Sequence, residues 1–143
     1  MNNIDQIIND LTLEEKVSRL SGFNSWYTNK IERISIPSIK MSDGPNGVRG
    51  DSNSGKSSAC FPCAISIGSS WDLDQVKKIG VALGAEAQAK NVDVLLGPTI
   101  NLHRHPLGGR HFESFSEDPC LNGKIAYNYV QVGQSQNVAA VLK

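Results

Sequence analysis

At 143 residues, 39% hydrophobic and 20% charged, the chain has the size and make-up of one globular domain. Fourteen Lys and Arg balance fourteen Asp and Glu for a formal net charge of +0. That balance argues against nucleic acid or an anionic membrane as partner, since both select a basic excess. No apolar run approaches the roughly 18 residues of a membrane span, and Met1 to Asp10 carries no secretory-signal pattern. Three cysteines make an odd, sparse set rather than a disulfide framework, so a cytoplasmic location is expected.

In chain order, Ile4, Ile7 and Ile8 stand at helical spacing in a short first segment. Thr12-Leu13-Glu14-Glu15 reads as a capping box, with Leu13, Val17 and Leu20 on one face and Gly22 at the stop. Ile36 to Met41 reads as a strand whose start is restricted by Pro37. Ser52 to Ser58 reads as a polar, mobile insertion. Cys60-Phe61-Pro62-Cys63 would need a following helix or a second Cys/His pair for redox or zinc chemistry. Ala64-Ile65-Ser66-Ile67 instead reads as a strand, so the two cysteines are expected to be small buried thiols.

Asp72-Leu73-Asp74-Gln75 repeats the capping device ahead of Val76, Ile79, Leu83 and Ala87, with Gly80 and Gly84 allowing close packing. Val92 to Leu96 is a strand. Asp118-Pro119 supplies N-cap and first helical residue for a helix burying Leu121, Ile125, Ala126, Tyr129 and Val132. Val138 to Leu142 is the last strand. The two later strands are continuous apolar runs, as expected of strands buried on both faces. The alternation predicts right-handed βαβ units and a parallel sheet, an α/β fold. Its long loops, 42–71 and 97–117, fall at the carboxyl ends of strands, where such sheets gather their functional groups.

That rim carries Asp43 in Ser42-Asp43-Gly44-Pro45-Asn46-Gly47-Val48-Arg49, the arginines and histidines of 103–111, and Lys143. A carboxylate accepting from adjacent hydroxyls beside cationic donors suits a polyhydroxylated ligand. The same residue types also make an ordinary turn, and on residue types alone the two readings stand level. A metal site on His103, His105, His111 and Glu113 is the rival; no His-x-x-x-His helix supports it, and Pro106, Gly108 and Gly109 leave its geometry undefined. No phosphate-cradling glycine loop is present, and no cofactor is called for.

At these residues the chain resembles the start of a glycoside hydrolase family 3 β-glucosidase of the yeast and fungal type. The blocks LTLEEKVSRLSG, IPSIKMSDGPNGVRG, CFPCAISIGSSWD, LLGPTINLHRHPLGGRHFESFSEDP and QSQNVAAVLK run in family order over almost the whole chain. The resemblance implies that residues 1–143 form the N-terminal portion of a (β/α)8 barrel domain, incomplete here because such a barrel takes about 250 residues to close. It implies sugar-binding roles for Asp43, Arg110 and Lys143, with glucose or a β-glucoside as partner and no metal. It further implies hydrolysis of terminal β-D-glucosyl units with retention, which needs two carboxyl groups about 5–5.5 Å apart. The family's nucleophile and acid/base would both lie beyond Lys143, so no catalytic residue is expected within the chain; Glu113, Glu117 and Asp118 belong to the loop and helix cap. The 143-residue chain is expected to be inactive alone. The alternative reading is a non-catalytic remnant with weak or no sugar binding.

Overall fold

The computed structural model describes residues 3–50 and 56–143. They form two compact units, Met1–Met41 and Ser42–Lys143. Residues 52–55 of the polar insertion lie outside the described residues.

In the first unit, α1 (Asn3–Asp10) is followed by α2 (Leu13–Leu20). The capping box forms as read: the Glu15 amide donates to Thr12 Oγ1 at 3.2 Å and the Thr12 amide to Glu15 Oε2 at 2.9 Å. The expected apolar face does not bury. Leu13, Val17 and Leu20 are all exposed, and α2 has no buried residue. Polar contacts hold it instead. The Arg33 guanidinium grips the Glu15 carboxylate through Nε at 3.0 Å and Nη2 at 2.6 Å, and Asn29 Nδ2 donates to Ser18 O at 2.8 Å. Such a two-pronged pair fixes orientation as well as distance.

The strand expected over Ile36 to Met41 is displaced toward the C-terminus and shares only Met41 with the one that forms. Ile36 and Lys40 make only single bridges, to Ile31 and Tyr27, and β1 spans Met41–Asp43. Pro37 lacks the amide a ladder needs, and Ser35 sits in the left-handed region at φ 57°, so regular pairing cannot start there.

The second unit holds α3 (Ala64–Ser70), α4 (Leu73–Ala89), β2 (Val94–Leu96), α5 (Pro119–Ser135) and β3 (Ala139–Ala140). The segment read as a strand at Ala64–Ile67 is helical, which corrects the sequence reading. Ala64, Ile67 and Gly68 form its buried face at helical spacing, a period that four alternating residues could not reveal. Gly68 brings this helix against the chain: an added Cβ would lie 2.1 Å from the Phe115 carbonyl oxygen. Cys63 is the N-cap of α3 and makes no capping bond; Cys60, Cys63 and Cys120 are free thiols, with Cys60 and Cys120 exposed and Cys63 half-buried.

Asp72 caps α4 by accepting from the Asp74 and Gln75 amides, and Asp118 caps α5 by accepting from Cys120, with Pro119 in the first turn. The apolar faces read for both helices are the ones buried, although the Val132 side chain lies outside the description. α4 and α5 pack on each other across Gly84, where a Cβ would lie 2.7 Å from the Gln136 side chain. Leu83 and Ile125, each 1% exposed, anchor that interface and contribute about 1.5–3 kcal/mol apiece.

The sheet has the order β1-β2-β3. β2 and β3 run parallel, with Val94 opposite Ala139 and Leu95 opposite Ala140. Backbone bonds carry the pairing further: the Lys143 amide donates to Pro98 O at 3.1 Å and the Ile100 amide to Lys143 O at 2.7 Å. The architecture is α/β, as expected. Among the described residues no helix is long and apolar enough to cross a membrane.

Candidate functional site

Asp43 is the last residue of β1, and a braced loop follows it. The buried Ser42 hydroxyl donates to Asp43 O at 2.9 Å and accepts from the Gly50 amide at 2.9 Å. The Arg49 amide donates to Asp43 O at 3.0 Å, so residues 43–49 form a closed excursion. Its tip is the turn Gly44–Gly47, closed by Gly47 N to Gly44 O at 3.1 Å. Gly44 has φ 122°, and an added Cβ would meet the Gly47 carbonyl oxygen at 1.9 Å, so only glycine fits.

The Asp43 carboxylate sits between two cations. Lys143 Nζ lies 3.2 Å from Oδ1 and Arg49 Nη1 lies 3.9 Å from Oδ2. Residues one hundred apart in sequence are thus brought together, because the ladder between 98–100 and 143 fixes Lys143 at the carboxyl end of the sheet. The Asp43 side chain is 29% exposed, so it keeps access to a ligand from solution. Arg49 is the site-adjacent cation the sequence reading did not single out; its place six residues after Asp43 in a tight loop was the available signal.

Arg110 stands at the start of a short 3₁₀ turn, His111–Glu113, and its guanidinium pairs with the Glu113 carboxylate. Arg110 and Lys143 line one cleft of about 450 Å³, together with Thr99, Asn101, Glu113 and Ser114. Asp43 reaches this cleft only through Lys143. The Thr99 hydroxyl there is buried with no partner among the described residues.

The His103 and His111 rings lie in tilted contact, 4.9 Å between centroids. His103 Nε2 bonds to Ser114 O at 3.0 Å, His111 Nε2 to His105 O, and His105 Nδ1 accepts from the Leu107 amide at 3.2 Å. Each ring is thus engaged with backbone. Among the described residues no group of three or more His, Cys, Asp or Glu side chains is placed to hold a metal ion. Asp118 serves as a helix cap and Glu113 as the partner of Arg110.

Beneath the loop lies a polar clamp that no short sequence pattern announces. Glu86, on α4, accepts from the Val48 amide through Oε2 and from the Ala59 amide through Oε1, both at 2.8 Å. Lys90, one turn on, sets Nζ 3.0 Å from Glu86 Oε1 and 2.7 Å from Ser58 Oγ, and also donates to Val48 O. Burial alone would raise the Glu86 carboxyl. The Val48 and Ala59 amides and Lys90 outweigh it and hold the group below its ordinary value.

The sequence matches the glycosyl hydrolase family 3 N terminal domain over residues 1–143. It is 51% identical over 142 residues to a β-glucosidase of Rhizobium radiobacter, covering 98% of this chain and 17% of the relative. The fold is similar to the crystal structure of a Kluyveromyces marxianus β-glucosidase in complex with glucose, at TM-score 0.93 and 44% identity, over 99% of this chain and 17% of that one. It is also similar to Thermotoga neapolitana β-glucosidase 3B in complex with glucose, at TM-score 0.86 and 36% identity, over 98% of this chain and 22% of that one. The chain therefore spans about a fifth or less of the length of these relatives.

Proposed function

The chain belongs to glycosyl hydrolase family 3, as part of its N-terminal barrel domain, and on that premise we propose that it supplies the sugar-gripping wall of a β-glucosidase. The observation that carries this reading is the Asp43 carboxylate held between Lys143 and Arg49 at the carboxyl end of the sheet. A carboxylate in that setting accepts from neighbouring sugar hydroxyls, while the flanking ammonium and guanidinium donate to others. Arg110, which lines the same cleft as Lys143, adds a second guanidinium once a sugar hydroxyl competes with Glu113 for it. The glucose-bound relatives support glucose or a terminal β-glucoside as the ligand.

In this reading residues 1–143 are one portion of the barrel domain of a longer retaining glycosidase. Retention requires a nucleophile and an acid/base about 5–5.5 Å apart, and both belong to parts of the protein after Lys143. In the same reading Asp43 serves binding: Lys143 and Arg49 orient its carboxylate, which stays 29% exposed to accept from sugar hydroxyls. A cytoplasmic setting suits the three free thiols. The test is calorimetric titration of glucose into the chain and into Asp43→Ala. Binding that weakens at least tenfold in the variant supports the assignment; binding that survives unchanged refutes it. A chromogenic β-glucoside incubated with the purified chain should stay colourless.

A further inference from the structure

The Asp43 carboxylate projects from the first residue before a tight glycine turn, so its direction depends on whatever holds that turn. On one side the turn is tied to residues 61–62: the Phe61 amide donates to Asn46 O at 2.8 Å and Asn46 Nδ2 donates to Pro62 O. On the other side it meets α5. The Tyr129 hydroxyl donates to Pro45 O at 2.8 Å across 84 residues of sequence. Gly97, just past β2, closes the same junction. An added Cβ there would lie 3.0 Å from Pro45 Cβ and 3.5 Å from the Tyr129 hydroxyl. The turn after the first strand, the end of the second and the last helix thus meet at one point.

A core needs only the ring at position 129, which is 4% exposed. The hydroxyl is a different matter, because a buried hydroxyl costs stability unless it is bonded. Here it is bonded to the Pro45 carbonyl, two residues after Asp43. Burial also raises the phenol well above its ordinary value, so it remains a donor throughout the working pH range.

We propose that Tyr129 is a positioning residue for the site: its hydroxyl, through Pro45 O, holds the Gly44–Gly47 turn so that the Asp43 carboxylate meets Lys143 and the ligand in one fixed direction. The proposal rests on the sugar-binding reading of Asp43, and the experiment separates the two. Tyr129→Phe keeps the ring and removes only the donor. Glucose is titrated by NMR into the 143-residue chain, Tyr129→Phe, Asp43→Asn and the double variant, while amide exchange is followed at Gly47, whose N–H closes the turn.

The expected result is glucose binding weakened about three- to tenfold in Tyr129→Phe, the factor carried by one lost hydrogen bond. Exchange at Gly47 should be faster, and the Tyr129 effect should shrink in the Asp43→Asn background because both residues act through one carboxylate. A purely structural hydroxyl would lower the melting temperature and leave both glucose affinity and the coupling at zero change, which overturns the proposal. A wild-type chain that ignores glucose refutes the sugar reading. The positioning role is then decided by exchange at Gly47 against the core amides of α4: acceleration confined to Gly47 upholds it, and unchanged or uniformly faster exchange overturns it.

Discussion

Removing the Glu86 carboxylate is the sharpest test of how the site loop is held. In Glu86→Ala the Val48 and Ala59 amides lose the acceptors they reach at 2.8 Å. Lys90, whose side chain is 5% exposed against 15% for Glu86, loses the carboxylate oxygen it meets at 3.0 Å and keeps its bonds to Val48 O and Ser58 Oγ. Breaking one side of a buried pair costs about 3–5 kcal/mol, and each orphaned donor adds about 1–3 kcal/mol where water cannot reach it. Because water relieves part of this at a half-open loop, the expected loss is about 3–5 kcal/mol, a large share of a domain stability of about 5–15 kcal/mol. Urea titration followed by circular dichroism measures it, with the slope checked for constancy. Glu86→Ala/Lys90→Met should recover part of the loss, since no buried ammonium then has to do without the Glu86 carboxylate. A single-variant loss below about 1 kcal/mol, or a double variant worse than the single, would refute the clamp argument.

The same carboxyl gives a pH dependence with a defined sign. Its folded-state value lies below the ordinary 4.5, so its contribution is fully present above about pH 4.5 and is lost as pH falls through the depressed value; melting temperature against pH in wild type and Glu86→Gln should converge in acid. Thr99→Val removes a buried hydroxyl that has no partner among the described residues and should raise stability by about 1 kcal/mol, read as a higher melting temperature. Gly68→Ala and Gly123→Ala should move in opposite directions. The first drives a methyl into the Phe115 carbonyl and should cost about 1–3 kcal/mol. The second meets nothing within 4 Å on a helix and should gain about 0.5–1 kcal/mol; thermal melts of both variants give the comparison.

The parts of the fold that a reader of the sequence could see are those governed by neighbours along the chain. The Thr12, Asp72 and Asp118 caps form where read, since a cap and its amides lie within three residues of each other. The faces of α4 and α5 were equally legible, because seventeen residues give several turns of apolar repeat. Ala64–Ile67 misled for the converse reason: four residues alternate by chance, and Phe115, which the helix packs against, is nearly fifty residues away. Leu13, Val17 and Leu20 form a sound helical stripe, yet the stripe alone does not say what covers it, and in this chain they are exposed. The site divides the same way. Asp43 was visible as a strand-end carboxylate, while its meeting with Lys143 depends on a ladder spanning a hundred residues. Tyr129 read only as core, because its hydroxyl finds its acceptor 84 residues back.

The strand order that matches the chain order also bears on how the site comes into being on the ribosome. Each strand pairs with the one made before it, so the sheet can grow as the polypeptide emerges. Asp43 must nonetheless wait one hundred residues for Lys143. At a synthesis rate of about 5–20 residues per second, that interval lasts roughly 5–20 s. During it the nascent carboxylate has Arg49, six residues later and already synthesised, as the cation at hand. In chain order, then, Arg49 is the first of the two cations beside Asp43 to be made and Lys143 the second.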